Sequence, residues 1–208
     1  MVAIIAVATT KGGSGKSTLA ACLSAYWAES GVTVQTLDTD PNRNLLARLD
    51  GSGIPCLGVD EEAILMAVAA AAKEVEIVIV DVAGALARGM LYAVSAADIV
   101  LIPCRPDRND VVEAVRTQEV IRQAEVMTRR SIPHSALLTQ VNSRAQVTGQ
   151  TRTQLDALGI PYFGVNMPAR TAYQQASYTG APLADTAVQK DIAAIAAAVT
   201  ELMERGNA

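Results

Sequence analysis

The sequence predicts a single three-layer α/β domain over residues 1–208, with helices on both faces of a mostly parallel sheet. Short runs that are apolar at nearly every position alternate with longer segments of helical period. Such runs are typical of parallel strands that are buried on both faces. Half of the residues are hydrophobic but only 3% are aromatic, so the core must consist of Ala, Val, Ile and Leu, which suits helices packed on a sheet.

The predicted elements follow one another along the chain without an internal repeat or a linker. Strands are expected at Val2–Ala8, Val32–Leu37, Val75–Val80, Ile99–Pro103, Ser135–Val141 and, with a weaker pattern, Ile160–Val165. Helices are expected at Lys16–Ser30, Glu61–Lys73, Ala85–Ala97, Asp107–Arg129, Gln146–Leu158 and Ala184–Met203. This alternation implies right-handed crossovers, and ligands of such sheets bind beyond the carboxyl ends of the strands.

Several classes of protein are excluded by the composition. No run approaches the roughly 18 apolar residues that a membrane span requires, and the N-terminus lacks the basic region of a signal peptide. The three cysteines, Cys22, Cys56 and Cys104, have no CxxC spacing. Their scatter predicts free thiols in a reducing cytoplasm.

The charge is unevenly distributed along the chain, whose net charge is −4. Between residues 126 and 184 the charged residues are Arg129, Arg130, Arg144, Arg152, Asp156 and Arg170. A basic sector of this kind is compatible with a polyanionic partner, although an ordinary solvated face explains any single arginine equally well.

A glycine-rich segment, Thr10–Thr18 (TKGGSGKST), follows the first strand and enters the first helix. This is the context of a phosphate-binding P-loop, GxxxxGK[ST]. Aligned on its GKS residues, the segment has Thr10 where the pattern has its first glycine, so the strict pattern fails.

The residues that P-loop chemistry requires are nevertheless present. Gly12, Gly13 and Gly15 let backbone N–H groups turn toward phosphate oxygens. Lys16 is expected to reach the β- and γ-phosphates, and the Ser17 hydroxyl to bind Mg²⁺. The sequence therefore predicts a P-loop nucleotide triphosphatase.

A second lysine, Lys11, stands at the start of the loop, where phosphate binding does not require it. A cation at this position can instead face outward and complete a second nucleotide site across a dimer interface. Positive charge supplied in this way stabilises the charge that develops during phosphoryl transfer.

Acidic residues follow two of the apolar runs. Asp38 and Asp40 lie in the turn DTDPN after the second strand, and Asp81 ends the third. Beside a Mg²⁺-bound nucleotide, carboxylates can hold metal-bound water and orient the attacking water. An Asx-type turn would also explain DTDPN. An apolar run that ends in Asp after a P-loop is the Walker B arrangement, whose carboxylate reaches Mg²⁺.

The early lysine of the loop and the DTDPN turn resemble the deviant Walker A ATPases of the ParA/MinD family. The resemblance implies that Lys11 contacts nucleotide bound by the partner subunit of an ATP-sandwich dimer, while Lys16 is the ordinary Walker lysine. It implies that Asp40 positions the hydrolytic water and that Asp38 supports the metal site with Ser17 and Asp81. The nucleotide-binding residues of the loop would be Lys11, Gly12, Gly13, Ser14, Gly15, Lys16, Ser17 and Thr18.

The resemblance also implies which residues contact the nucleotide base. Asn142, at the end of a buried strand, corresponds to an adenine-contacting asparagine of the family, although a strand-ending turn explains it equally well. Backbone groups of Pro168 and Ala169 are expected to lie over the base. The segment Tyr173–Leu183 resembles a family pattern in which a helix ends in G-x-P-L.

Within the family the chain resembles the short ParF-like partition proteins and conjugation-associated relatives, because the first strand begins at Val2. The resemblance implies an ATP- and Mg²⁺-dependent homodimer that binds DNA nonspecifically in the cytoplasm, associated with the nucleoid. A ParB-like or ParG-like adaptor would stimulate its slow ATP hydrolysis.

Two alternatives remain open. A MinD-like spatial regulator with a membrane cycle needs a basic amphipathic C-terminus, whereas Gln189–Ala208 has only Lys190 and Arg205 as basic residues, so no membrane binding is expected. A metabolic ATP-dependent ligase of the dethiobiotin synthetase type shares the fold, but Lys11 and DTDPN favour the partition type.

Overall fold

The computed structural model of the protein describes residues 2–84, 87–142, 146–179 and 185–206. The strands are β1 (Ala3–Val7), β2 (Val34–Asp38), β3 (Cys56–Gly58), β4 (Ile77–Asp81), β5 (Ile99–Cys104), β6 (His134–Val141) and β7 (Tyr162–Pro168). The α-helices are α1 (Lys16–Glu29), α2 (Asn44–Leu49), α3 (Ile64–Ala71), α4 (Ala87–Ala96), α5 (Arg108–Thr128), α6 (Val147–Ala157), α7 (Thr171–Thr179) and α8 (Thr186–Gly206), and a short 3₁₀ helix (Glu61–Ala63) precedes α3.

The strands form one seven-stranded sheet in the order β3-β2-β4-β1-β5-β6-β7, and all of its pairings are parallel. The predicted α/β fold with a parallel sheet is therefore confirmed. The number of strands was wrong, because β3 was not predicted. This strand is three residues long and pairs with β2 through Thr36–Asp38, which is too short for a periodic pattern.

Alternate residues of β1 point to opposite faces of the sheet and enter separate cores. Ile5 and Val7 pack into a cluster with α1, α2, α7 and α8. Ala6 and Ala8 pack into a second cluster with α3, α4, α5 and α6. Burial on both faces explains why the strand is apolar at consecutive positions, and it confirms the three layers.

The central position of β1 determines where a ligand can bind. β1 lies between β4 and β5, so the chain runs to one edge of the sheet after β1 and to the other edge after β4. Crevices form at such reversals, beyond the carboxyl ends of the strands. The loop that begins at Thr10 occupies that edge.

The three cysteines are free thiols, as predicted, and Cys22 and Cys104 are buried. Burial raises the pKa of Cys22 to about 12, so this thiol stays protonated.

Among the helices of the described ranges, none has the length and apolar character needed to cross a bilayer. The predicted starts of two helices, at Ala85 and Ala184, and the motif at 180–183 lie outside the described residues.

Candidate active site

The loop between β1 and α1 depends on two glycines in the left-handed region. Gly13 has φ +78° and Gly15 has φ +96°, and residues with a side chain are strained there. Gly15 immediately precedes Lys16, the first residue of α1. The loop therefore delivers the N-terminal end of α1 to the edge of the sheet, where the helix dipole favours an anion.

Lys16 lies nearly buried at the mouth of this loop, with 9% of its surface exposed. Its Nζ donates to the carbonyl oxygen of Lys11 at 2.8 Å, which holds the ammonium across the loop. Burial lowers the pKa of Lys16, whereas the negative charges of Asp81 and Asp40 raise it. The predicted Walker lysine is thus close to two of the predicted acidic residues.

Asp81, at the end of β4, is a buried acid that titrates near neutrality. Burial raises its pKa to about 7, against the lowering effect of the nearby Ser17 hydroxyl. Neither carboxylate oxygen has a hydrogen-bond partner among the described residues. A buried carboxylate without hydrogen-bond donors is stabilised by a bound cation.

Ser17 and Asp81 fit a magnesium ion. A hydroxyl and a carboxylate are oxygen ligands of the kind that Mg²⁺ prefers, and Mg²⁺ takes its other ligands from water and substrate phosphates. No group of three or more His, Cys, Asp or Glu residues converges on a metal position within the described ranges.

Asp38 is buried and binds backbone amides. Its Oδ1 accepts the N–H of Asp40 at 3.0 Å, and its Oδ2 accepts the N–H groups of Leu45 and Leu46 at 2.9 and 3.0 Å. These bonds fasten the start of α2 to the end of β2. The carboxylate therefore has a structural role, and its predicted support of the metal site stays a prediction.

Asp40 forms the Asx-type turn that the sequence allowed. Its Oδ1 accepts the backbone N–H and the side-chain Nδ2 of Asn42, at 2.9 and 3.0 Å. Asp40 nevertheless lines the same cleft as Lys16. The turn and the proposed water-positioning role are therefore compatible in one residue.

Thr39 joins the ends of β2 and β4. Its hydroxyl donates to the carbonyl oxygen of Asp81 at 3.1 Å and accepts the N–H of Ala83 at 2.9 Å. The next residue on that side, Gly84, approaches the P-loop so closely that a Cβ would lie 3.1 Å from the carbonyl oxygen of Thr9. The two acidic turns and the P-loop are thus packed as one unit.

Lys11 lies outside the cleft that Lys16 lines. Its Nζ is 2.6 Å from Oδ1 of Asp110 on α5, and Arg105 binds both oxygens of the same carboxylate at 3.0 Å. Burial opposes ionisation of Asp110, but the hydrogen bonds from Arg105 and Lys11 outweigh it and lower the pKa. Sequence reasoning missed this partner, because Asp110 is distant in the chain.

Two adjoining clefts open at the edge of the sheet. The phosphate cleft, of about 630 Å³, is lined by P-loop residues between Gly12 and Thr18, by Asp40 and by α2. The base cleft, of about 710 Å³, is lined by the ends of β6 and β7 and by α7. The two clefts share Gly15, Thr18, Arg48 and Gln140 in their linings, so they adjoin at the P-loop.

Pro168 and Ala169 line the base cleft, and their predicted position over the base stays a prediction. Ala169 is held there by the hydrogen bond from its N–H to the carbonyl oxygen of Val141, at 2.9 Å. Asn142 is exposed and is not part of the lining. Its predicted contact with adenine stays a prediction.

Two residues that sequence reasoning missed attach β6 to the P-loop. Thr139 Oγ1 donates to the carbonyl oxygen of Ser14 at 2.6 Å, and Gln140 Nε2 donates to that of Gly13 at 3.0 Å. Gln140 has φ +52° and lies where the pairing register between β6 and β7 shifts. This irregularity in the strand pairing has no local signal in the sequence, although both residues directly precede the predicted end of the strand.

Three arginines of the predicted basic sector have internal partners. Arg130 donates to the carbonyl oxygens of Ser95 and Ala97. Arg152 donates to the carbonyl oxygen of Gly164 and to the side-chain oxygen of Asn166. Arg170 forms a salt bridge with Asp191. Arg129 is exposed, and Arg144 lies outside the described residues. The sector is therefore a weaker polyanion surface than its composition indicates.

Comparisons with known proteins agree with this geometry. Residues 5–183 match the family model of the CobQ/CobB/MinD/ParA nucleotide binding domain. The protein ParA of Rhizobium radiobacter is 32% identical over 177 residues, covering 82% of this chain and 80% of the relative. Maintenance of carboxysome distribution protein A of Halothiobacillus neapolitanus is 27% identical over 183 residues, covering 85% and 84%. The septum site-determining protein MinD of Pyrococcus horikoshii, solved with Mg-ADP, superposes with a TM-score of 0.79 at 15% identity, covering 99% of each chain.

Proposed function

The chain belongs to the CobQ/CobB/MinD/ParA family of nucleotide-binding ATPases, and from this premise we propose that it is a ParA-like partition or positioning ATPase. In this proposal one domain, residues 1–208, alternates between a monomer and an ATP-bound homodimer. The dimer binds DNA nonspecifically, and a ParB-like or ParG-like adaptor releases it by stimulating hydrolysis.

The location of Lys11 carries the proposal. This lysine begins the P-loop, yet its Nζ is bound to Asp110 on α5, and the lining of the phosphate cleft does not include it. Lys16 already supplies the ammonium inside that cleft. A cation beside the loop but outside its own cleft suits a residue that serves the nucleotide of a facing subunit.

In the proposed mechanism, the residues of each subunit have distinct roles in ATP hydrolysis. The amides of the loop and the ammonium of Lys16 bind the phosphates of the substrate. Ser17 and Asp81 would hold Mg²⁺, which would neutralise negative charge of the bound phosphates. Asp40 orients the attacking water from its turn, and Lys11 of the facing subunit stabilises the charge that develops at the γ-phosphate.

The names of the two relatives support the cargo-positioning part of the proposal. One is called ParA and the other maintains the distribution of carboxysomes, so a cytoplasmic, nucleoid-associated cycle is proposed here by analogy. Among the described arginines of the basic sector, Arg129 is exposed and is proposed to make phosphate contacts. Such contacts make affinity fall steeply with salt.

The first experiment measures dimerisation by light scattering with ATP and Mg²⁺. Asp40→Ala is expected to accumulate an ATP-bound dimer, since binding persists while hydrolysis stops. Lys11→Ala is expected to bind ATP as a monomer. Lys73→Ala, which removes an exposed lysine far from the loop, is the matched control. Normal dimerisation and hydrolysis by Lys11→Ala would contradict the trans role.

The second experiment measures retention on DNA. Retention is expected with ATP and Mg²⁺, to be absent with ADP, and to fall as salt rises. The family also contains CobQ and CobB, so a small-molecule ligase is the competing function. A dimer that never binds DNA, but whose hydrolysis a carboxylate substrate stimulates, would replace the partition proposal with that one.

A further inference from the structure

Arg48 lies where the phosphate cleft meets the base cleft. It lines both clefts, as do Gly15, Thr18 and Gln140. Its Nη1 donates to the Thr18 hydroxyl of the P-loop at 2.8 Å. A nucleotide that occupies both clefts must place the phosphate nearest its sugar at this junction.

The periodicity of the short helix α2 places Arg48 on the side of the helix that lines the clefts. Asn44, Ala47 and Arg48 line the phosphate cleft, whereas Leu45 and Leu49 are buried in the core. Residues three and four apart share a helix face, so the buried leucines determine which residues face the ligand. Arg48 is therefore held on a packed element.

The charge of Arg48 is not matched by the protein around it. Arg170, which also lines the base cleft, pairs with Asp191, and Arg105 pairs with Asp110. Arg48 has no carboxylate within 4.0 Å in the described ranges, and the Thr18 hydroxyl is its hydrogen-bond acceptor there. A guanidinium has five donors in a planar fork that matches a phosphate group.

We propose that Arg48 is a nucleotide-binding residue that α2 supplies in cis, and that its guanidinium binds the α-phosphate. This inference rests on the nucleotide site of the proposed function and adds a residue outside the P-loop and outside both acidic turns. ADP and ATP share the α-phosphate, so Arg48 contributes equally to the binding of both. Contacts to the γ-phosphate, in contrast, discriminate between them.

The test is equilibrium binding of fluorescent ADP and of a fluorescent non-hydrolysable ATP analogue to the full chain. Arg48→Ala is expected to raise both Kd values by about tenfold, the scale of one lost charge-assisted hydrogen bond. Arg48→Lys keeps the charge and is expected to recover part of the affinity. Arg205→Ala, which removes an exposed arginine of α8, is the charge-matched control and is expected to bind like the wild type.

Arg48→Gln separates ligand binding from local structure. Glutamine can still donate to Thr18 but carries no charge, so it is expected to bind as weakly as alanine and to lose part of the salt dependence of affinity. Wild-type affinity in the glutamine variant would overturn the proposal, as would a loss confined to the ATP analogue. Wild-type protein that binds neither nucleotide would overturn the nucleotide site itself, whereas binding that survives in every Arg48 variant would overturn the role of Arg48 alone.

Discussion

The phosphate cleft is built around interacting charges, whereas the base cleft is lined mainly by neutral side chains and by backbone. Burial changes the pKa of one group near each cleft. Beside Lys16 of the phosphate cleft it raises the pKa of Asp81 to about 7, and in the base cleft it raises the pKa of Tyr173, which stays neutral. Only the first of these groups changes charge near physiological pH. Single substitutions should therefore have their largest effects in the phosphate cleft.

The largest effect is expected from Lys16→Ala. The variant loses a nearly buried ammonium that is proposed to bind the phosphates, and hydrolysis should fall at least about 100-fold, as for other preorganised charges that stabilise a transition state. Steady-state phosphate release measures it. Lys73→Ala should retain wild-type activity. A comparable loss from substitutions in the base cleft would abolish the contrast between the clefts.

Asp81→Asn tests the titrating acid through stability. The pKa of Asp81 is higher in the folded state than the unfolded value of 3.8, so its contribution is complete below about pH 4 and is lost as pH rises through 7. In nucleotide-free protein with a chelator, the melting temperature of Asp81→Asn should rise relative to that of the wild type between pH 4 and pH 7, and the difference should level off above pH 7. A pKa that is about three units higher in the folded state corresponds, in a domain of this size, to a change in that difference of about 10 °C. A pH-independent difference would show that Asp81 ionises normally in the folded state.

A pair of glycine substitutions compares the crowded side of the P-loop with open surface. Gly84→Ala places a Cβ 3.1 Å from the backbone of Thr9 and should destabilise the protein by about 1 kcal/mol. Gly149→Ala lies within α6, where a Cβ meets no atom within 4 Å, and should stabilise the protein by about 0.5–1 kcal/mol. Denaturant unfolding measures both. Equal effects of the same sign would contradict the close packing at Gly84.

The smallest effect is expected at Asn142, which follows β6 and is not part of the base-cleft lining. Asn142→Ala should change the preference for ATP over GTP by less than about twofold, since burial and hydrogen bonding to a base are what generate discrimination and Asn142 is exposed. Competition binding with the two nucleotides measures the preference. A large loss of preference would instead support the adenine contact that the family resemblance implies.

The difference between the clefts also explains what could be predicted from the sequence. The P-loop, DTDPN and Asp81 are local patterns, so the parallel sheet, the ends of β1, β2 and β4 and the residues that follow them were predicted. The helix α2 was not, because it is six residues long, begins after Arg43 in the left-handed region, and is held by a carboxylate that precedes it in the chain. Thr139, Gln140 and Asp110 act through contacts across more than 90 residues, for which one sequence has no local signal.

The hydroxyl of Thr39 has a mechanical consequence. It bridges the turn that carries Asp40 to the loop that carries Gly84, and Gly84 rests on the P-loop. A displacement of either segment must therefore move the other or break buried hydrogen bonds. At this end of the sheet, the turn after β2 and the loop after β4 are therefore expected to move together. In the proposed function, a movement of Asp40 that repositions the hydrolytic water would also move the surface that follows β4, which would couple the timing of hydrolysis to the shape that a partner contacts.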